Sequence, residues 1–194
     1  MKPLKISTFL SLVLLVSVTA LGQKIRVKDG DRDILKNETT INIEFTYDNM
    51  GVGKFDKEQD YVKSKTDDYN KKESGKGDTW AKRWQDDKEG RYEPDFKDLF
   101  EKTSRMKLSR DAKYTLIFHT TNIEPGFNIG ITRRNANIDG EVLIVETANK
   151  SKVLLRLSLD NSPGRTFFGN DYDTGERISE AYAKAGKEVA RYLK

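Results

Sequence analysis

The stretch KYTLIFHTTNI, residues 113–123, decides the fold, because apolar side chains occur at both odd and even positions along it. A strand with apolar residues on both faces is typical of the interior of a sheet. We therefore expect this stretch to be the central strand, with the other elements arranged around it.

Downstream of this strand the pattern predicts an antiparallel meander. Val153, Leu155, Leu157 and Leu159 recur with the period of two that is typical of a strand with one buried face. Asp-Gly is a favoured hairpin dipeptide, and Pro-Gly is typical of a turn. The expected elements are a turn at 124–126, a strand near 127–134, a hairpin turn at Asp139-Gly140, a strand at 141–147, a turn at 149–151, and a strand at 153–159 that ends at 161–164.

Upstream, the sequence INIEFTY at residues 41–47 alternates between apolar and polar side chains and predicts a half-buried strand. Its apolar face comprises Ile41, Ile43, Phe45 and Tyr47. The segment Gly51-Val52-Gly53 is expected to break this strand.

Residues 54–111 contain 16 basic and 15 acidic side chains with their signs interleaved. Aromatic residues recur throughout, which favours charged helices packed on one side over disorder. We expect helices near 57–72, 79–89 and 94–104, with Asp78 capping the second and Pro94 in the first turn of the third. The recurring aromatic residues are Phe55, Tyr61, Tyr69, Trp80, Trp84, Tyr92, Phe96 and Phe100.

The last twenty residues predict an amphipathic helix. Asp173 followed by Glu176 has the spacing of a capping box, and Glu180 and Lys184 are spaced to form an ion pair on the polar side. The apolar face comprises Ile178, Ala181, Tyr182, Ala185, Val189 and Leu193. Together the elements predict a single α+β domain with a mixed, mainly antiparallel sheet, a helical excursion (54–111) after the first strand, and a C-terminal helix packed on the sheet.

The first 22 residues have the features of a secretory signal peptide. Lys2 and Lys5 precede an apolar run over 9–21, and the small residues Ala20 and Gly22 predict cleavage before Gln23. Removing this segment takes away two lysines and lowers the net charge from +4 to +2. We expect residues 23–194 to form the mature domain, exported to the periplasm or secreted, with no second membrane span and no nucleic-acid partner.

The chain contains no cysteine, which excludes disulfides and a lipid anchor attached through a thiol. His119 is the only histidine, whereas a catalytic zinc site usually needs two or three. Gly51 and Gly53 lack the spacing of a phosphate-binding loop, and no G-x-S-x-G motif occurs. We therefore expect no catalytic residue, and a structural His119 is favoured over a catalytic one.

Two acidic clusters resemble calcium-binding loops in composition but lack the residue spacing of an EF-hand. A turn and a helix cap account for them more simply, so no metal or other cofactor is expected. The clusters are Asp29, Asp31 and Asp33, and Asn170, Asp171 and Asp173.

Trp80 and Trp84 are the strongest candidates for a binding site, because residues four apart share one face of a helix. Such a pair can form a platform for a sugar ring or a peptide side chain. The interpretation we favour is that both rings anchor a charged helix to the sheet. Arg133 and Arg134 could bind an acidic group, although an arginine doublet close to a loop is more often only solvated.

Five stretches stand out together: YDNMGVGK at 47–54, GDTWAKRW at 77–84, YTLIF at 114–118, IEPGFNIG at 123–130 and DYDTGERISEAYAKAGK at 171–187. They resemble a family of signal-bearing exported proteins of Bacteroidota of unknown function. More remotely, the order of elements is similar to the α/β domains of envelope assembly lipoproteins of the curli-secretion and penicillin-binding-protein-activator types, from which this chain departs by lacking the lipid-bearing cysteine. The resemblance implies an envelope protein and carries over no catalytic residue.

The leading functional interpretation is a non-catalytic exported envelope protein that binds another macromolecule. The alternative is a glycan-binding or glycan-active periplasmic protein that uses Trp80 and Trp84 with nearby carboxylates. A pocket with two carboxylates and a tryptophan floor would favour the alternative.

Overall fold

The computed structural model describes residues 23–129, 132–164 and 172–194, so the predicted signal peptide lies outside the described residues. A 3-10 turn covers Arg32–Leu35, and a π-helical segment, Lys88–Tyr92, joins the second helix to the third. The strands and helices are β1 Lys24–Gly30, β2 Thr40–Thr46, β3 Gly51–Val52, α1 Glu58–Lys72, α2 Lys76–Asp87, α3 Glu93–Ser104, β4 Lys107–Leu108, β5 Tyr114–Glu124, β6 Phe127–Ile129, β7 Thr132–Arg134, β8 Asn137–Glu146, β9 Asn149–Pro163 and α4 Gly175–Leu193.

Seven strands form one sheet in the order β1-β9-β8-β5-β2-β4, with the short β3 pairing with β5 beyond the end of β2. The pairs β5–β8, β8–β9 and β9–β1 are antiparallel, whereas β2 and β3 run parallel to β5, and β4 runs parallel to β2. The strands β6 and β7 form a separate hairpin. The fold is therefore the α+β class with a mixed, mainly antiparallel sheet and a C-terminal helix, as predicted.

The helices pack on one face of the sheet, which we call the covered face. Leu116, Phe118 and Thr120 of β5 point to it and are fully buried. The Phe118 ring lies 4.9 Å from the ring of Phe96 in α3 and 5.9 Å from that of Tyr182 in α4. The predicted central position of β5 is confirmed, and the core lies between this face and the helices.

The opposite, uncovered face carries polar cross-strand pairs between partly exposed side chains. Arg156 of β9 lies 2.9 Å from Glu141 of β8, and Arg26 of β1 pairs with Asp160 of β9. Ion pairs between exposed groups contribute little free energy each. The two faces are thus built from different interactions.

The predicted hairpin turn at Asp139-Gly140 is wrong, because both residues lie inside β8. Packing explains the glycine, since a Cβ at position 140 would lie 2.8 Å from Cζ of Phe118. The strand expected near 127–134 is instead the β6–β7 hairpin.

The turn predicted at residues 149–151 lies two residues earlier. The chain reverses at 147–148, so that Glu146 and Asn149 pair directly. The register of β8 against β9 then shifts on both sides of Val145. The residue opposite Val145 in β9 is Val153, which is 39% exposed. Val153 therefore departs from the predicted apolar face, whose other members Leu155, Leu157 and Leu159 are buried.

The strand predicted at 41–47 is confirmed as β2, but the break at Gly51-Val52-Gly53 is only partial. Gly51 and Val52 form β3 and pair with β5 in the same parallel sense. The turn follows at Gly53, whose φ of +59° favours glycine.

All three helices of the excursion are present, but Asp78 does not cap the second. α2 begins at Lys76 after Gly75, which has a φ of +79°. The Gly77 amide donates to Oδ1 of Asn70 in α1 at 2.7 Å, so a contact with α1 sets the start of this helix. Pro94 lies in the first turn of α3, as expected.

The C-terminal helix has the predicted apolar face, whose six residues are all buried. Glu180 and Lys184 form the expected ion pair at 3.3 Å. Asp173 is not the N-cap, because α4 begins one residue later than predicted, after Thr174. Asp173 instead accepts a hydrogen bond from Nη1 of Arg91 at 3.3 Å.

The helical excursion is charged outside and aromatic inside. Ion pairs four residues apart, such as Lys63–Asp67 and Lys102–Asp98, follow its exposed side. Its buried aromatic side chains are Tyr61, Trp80, Trp84, Tyr92, Phe96 and Phe100. Within residues 23–129, 132–164 and 172–194, none of the helices combines the length and apolar character that a membrane crossing requires.

Candidate functional site

Trp80 and Trp84 lie in the core, with exposed fractions of 2% and 3%. Their ring centroids are 5.7 Å apart in a stacked arrangement, and both rings contact Tyr61 of α1. Trp84 Nε1 donates to Oε1 of the buried Glu58 at 2.6 Å. Neither ring offers a free face to a ligand, so the structure places these residues as anchors of α2 against α1.

Arg133 and Arg134 lie on the exposed β7 strand, away from the tryptophan cluster in the chain and on a different element. Arg134 Nη1 is 3.0 Å from Oε2 of Glu124, the last residue of β5. This pair ties the β6–β7 hairpin to the end of the central strand. The structure therefore separates the four predicted site residues into a buried pair and a surface pair.

His119 lies on the uncovered face of β5, where Nδ1 is 2.8 Å from Oγ1 of Thr46 in β2. The contact joins two neighbouring strands, which is a structural role. Among the described residues no group of three or more potential ligands is arranged to hold a metal ion. Of the acidic cluster near the last helix, Asn170 and Asp171 lie outside the described residues.

A groove of about 650 Å³ lies between the π-helical segment and α3 on one side and the first half of α4 on the other. We call it the acidic groove, because five acidic side chains line it against two basic ones. The acidic residues are Asp95, Asp98, Asp173, Glu176 and Glu180, and the basic residues are Arg91 and Arg177.

The π-helical segment shapes the rim of the acidic groove. α2 runs through this segment into α3 without a loop, and the wider turn places Gly90 and Arg91 at the groove. Single π-helical turns inside longer helices frequently occur at functional sites. The segment was missed by sequence reasoning, which expected two separate helices here.

A buried carboxylate anchors this rim to α4. Burial raises the pKa of Asp87, and the nearby Arg91 guanidinium partly offsets the effect. Arg91 bridges two acids, with Nε 3.1 Å from Asp87 and Nη1 3.3 Å from Asp173. A Cβ on Gly175 would lie 2.1 Å from Oδ2 of Asp87, so only glycine allows α4 to begin this close to the carboxylate.

The two arginines do not neutralise the open part of the groove. Arg177 is only 2% exposed, and it donates to the carbonyl oxygens of Pro125 and Gly126 at 3.4 Å. Arg91 is already shared by Asp87 and Asp173.

Of the acids that line the groove, Asp98 pairs with Lys102 and Glu180 pairs with Lys184. Asp95 and Glu176 are exposed and form no ion pair with any described residue, so these two carboxylates suit a cationic group.

Nucleophilic catalysis lacks its usual partners in this groove. Ser179 donates a hydrogen bond to Oδ2 of Asp95, which fixes the hydroxyl between α3 and α4. The only histidine of the chain, His119, lies in β5 on the uncovered face and does not line the groove. A serine activated by histidine is therefore not available among the residues that line this groove.

Sequence reasoning missed the acidic groove because its walls come from distant parts of the chain. Glu176 and Glu180 are four residues apart, so the sequence does place them on one side of the helix. Nothing in the sequence indicates that this side faces Asp95 and Asp98 of α3. That juxtaposition comes from the extensive packing of α3 on α4.

No protein-family model and no curated relative matches this sequence. Among solved structures, the chain is similar to the PelC dodecamer from Paraburkholderia phytofirmans, with a TM-score of 0.35 and 8% identity over 84% of this chain and 96% of that chain. A point variant of the same dodecamer gives a TM-score of 0.34 and 9% identity over 84% of this chain and 97% of that chain. Values this low support no conclusion about function.

Proposed function

We propose that this protein is a non-catalytic binding module of the cell envelope that holds another macromolecule through the acidic groove. Basic side chains of the partner would enter the groove and meet the carboxylates of α3 and α4. The observation that carries this proposal is the pair of exposed acids, Asp95 and Glu176, that line a groove of about 650 Å³ and form no ion pair with any described residue. The envelope location rests on the predicted signal peptide.

The walls of the groove support a binding role because they are preorganised. Asp87 and Gly175 are buried where the end of α2 meets the start of α4, and Ser179 is buried where α4 meets α3, so the groove keeps its shape without a ligand. A binding surface that is already ordered loses less conformational entropy when the partner docks. Exposed acids such as Glu176 remain available to attract a basic partner over a longer range.

The test uses a fluorescein-labelled pentalysine peptide as a probe of the groove. We expect it to bind the mature protein, and Glu176→Lys to weaken binding about 1.4- to fivefold at low salt, because an exposed charge pair changes a binding free energy by roughly 0.2–1 kcal/mol. Fluorescence anisotropy at several ionic strengths measures both effects. The affinity should fall as salt screens the charges.

Asp60→Lys on the exposed side of α1 is the matched control, since it makes the same charge change outside the groove. Equal loss of peptide affinity in both variants would contradict a localised site. The native partner can then be sought by affinity capture from the envelope. Proteins that the wild type retains and Glu176→Lys loses are the expected partners.

The envelope location has its own test. Mass analysis of the exported protein should give a mature chain that begins at Gln23, because Ala20 and Gly22 are the small residues that follow the apolar run. A mature form that retains Leu12 or Val16 would contradict the signal peptide and indicate a membrane anchor.

A further inference from the structure

The outer edge of β2 is only partly occupied. β4 pairs with β2 at Thr40 and Ile41, and the Ser109 amide donates to the Ile41 carbonyl at 3.0 Å. Beyond Ile41, no strand in the part of the chain that the structure describes pairs with β2 on that side. The remaining residues of β2, 42–46, therefore form an open edge of the sheet.

The backbone groups along this edge point outward at alternate residues. The carbonyls of Thr39 and Ile41 accept hydrogen bonds from β4 and its flanking residue. Because the backbone direction alternates along a strand, the N–H and C=O groups of Ile43 and Phe45 point the same way. Two residues thus present the donors and acceptors that an added strand requires.

A groove follows the same edge. One part, of about 630 Å³, is lined by residues 42–45 together with α3 and the β8–β9 turn. A second part, of about 800 Å³, shares Phe45 and continues past residues 46–49 to the start of α1. Because side chains from both sheet faces line this space, it lies along the strand edge and has the course that an extended peptide would follow.

The charges in the first part of the groove, beside residues 42–45, favour an acidic partner, whereas the second part contains Asp48, an exposed acid that forms no ion pair with any described residue. The two acids near α3 and the turn already have partners, since Glu93 lies 3.3 Å from Lys97 and Glu44 lies 2.6 Å from Lys150. Arg110 also lines the groove, is exposed, and forms no ion pair with any described residue. One guanidinium is therefore uncompensated where β4 ends and the open edge begins.

We propose that the outer edge of β2 accepts an extended segment of another polypeptide as an added strand, with an acidic side chain of that segment facing Arg110. The open backbone groups of Ile43 and Phe45 supply the pairing, and Arg110 selects the charge. A second copy of this chain fits poorly, because its own open edge strand, β1, carries Lys24, Arg26 and Lys28. This edge is separate from the acidic groove, which would bind charges of the opposite sign.

The probe is an acetylated and amidated peptide of sequence Thr-Val-Glu-Val-Thr-Val with a fluorescent label, and its control has Lys in place of Glu. We expect the mature protein to bind the acidic peptide at least about fivefold more tightly than the basic one, since exposed charge pairs of either sign each change the affinity a few-fold. Arg110→Glu should abolish or reverse this preference. Lys28→Glu, an equal charge change on the opposite sheet edge, should leave it unchanged.

Amide hydrogen exchange tests the pairing itself. With saturating acidic peptide, the amides of Ile43 and Phe45 should exchange more slowly, because they gain acceptors from the added strand. The amides of Asn42 and Glu44, which face β5, should not change. A peptide held only by its charge would protect none of these amides.

Three results with the peptides would each overturn this proposal: equal affinity for the two peptides, unchanged exchange at Ile43 and Phe45 under saturation, or an equal loss of the preference for the acidic peptide in Arg110→Glu and Lys28→Glu. Self-association of the mature protein that Arg110→Glu abolishes would also overturn it, since the occupant would then be a second copy. Glu176→Lys should leave binding of the acidic peptide intact, which distinguishes failure here from failure of the acidic groove.

Discussion

The covered and uncovered faces of one sheet are held together in different ways. On the covered face, Phe118 packs among the aromatic rings of α3 and α4 and is fully buried. On the uncovered face, partly exposed ion pairs such as Arg156–Glu141 cross the strands. Burial of apolar surface contributes far more free energy than an exposed ion pair. Stability is therefore concentrated on the covered face, which leaves the uncovered face and the edges of the sheet available for contacts.

The largest effect is expected from removing the two tryptophans that pack α2 against α1. Trp80→Ala with Trp84→Ala should lower the free energy of unfolding by about 3–5 kcal/mol per ring, because each is buried among other aromatic rings. A thermal melt measures the change. Lys82→Ala, on the exposed side of the same helix, is the control. An unchanged melt of the double variant would contradict the core position of both rings.

Tyr182 tests where α4 meets the covered face. Its ring is stacked on that of Tyr92 at 5.0 Å, and its hydroxyl lies 2.7 Å from Oγ1 of Thr120. Tyr182→Ala should cost about 2–4 kcal/mol, through lost burial and the cavity left behind. Lys184→Ala on the same helix should cost well below about 1 kcal/mol. Equal shifts of the denaturation midpoint for the two variants would show that the buried and exposed sides of α4 are assigned wrongly.

Gly140 tests how tightly the covered face is packed. Gly140→Ala would place a methyl group 2.8 Å from the Phe118 ring and is expected to destabilise the protein by about 1–3 kcal/mol. Gly90→Ala is the matched control, because no heavy atom outside its immediate neighbours lies within 4 Å of a Cβ there. Urea titration compares the two, and a neutral Gly140→Ala would indicate a looser core.

The smallest effect is expected on the uncovered face. Arg156→Ala removes the partner of Glu141. Both side chains are more than a third exposed, at 41% and 35%. The cost should be below about 1 kcal/mol and should shrink as salt is added. Stability measured at low and high ionic strength checks this. A loss comparable to that of Tyr182→Ala would remove the distinction between the faces.

Elements with a strong internal period were predictable from the sequence. β2, β5 and α4 lie close to their expected bounds, because alternation or helical spacing determines which residues can share a buried face. The three helices of the excursion also follow from their interleaved charges and recurring aromatics. In each of these cases the information lies within about twenty neighbouring residues.

The features that were missed or wrong depend on residues distant in the chain. Asp139-Gly140 has the composition of a hairpin turn, but Gly140 is fixed by the Phe118 ring of the neighbouring strand. Asp173 has the spacing of a cap, but its carboxylate bonds to Arg91 in the π-helical segment. The acidic groove and the open edge of β2 likewise arise from packing between elements, which local patterns do not record.

The pairing of β1 with β9 has a consequence for the order of folding. Arg26 and Asp160, which meet in this pair, are 134 positions apart, and Thr46 and His119 in β2 and β5 are 73 apart. Contacts this distant must await the intervening chain, whereas α1 and α2 can associate locally and early. If the chain leaves the cytoplasm unfolded and amino terminus first, β1 emerges before its partner and stays unpaired until β9 follows. During that interval its alternating basic residues oppose pairing with the wrong strand.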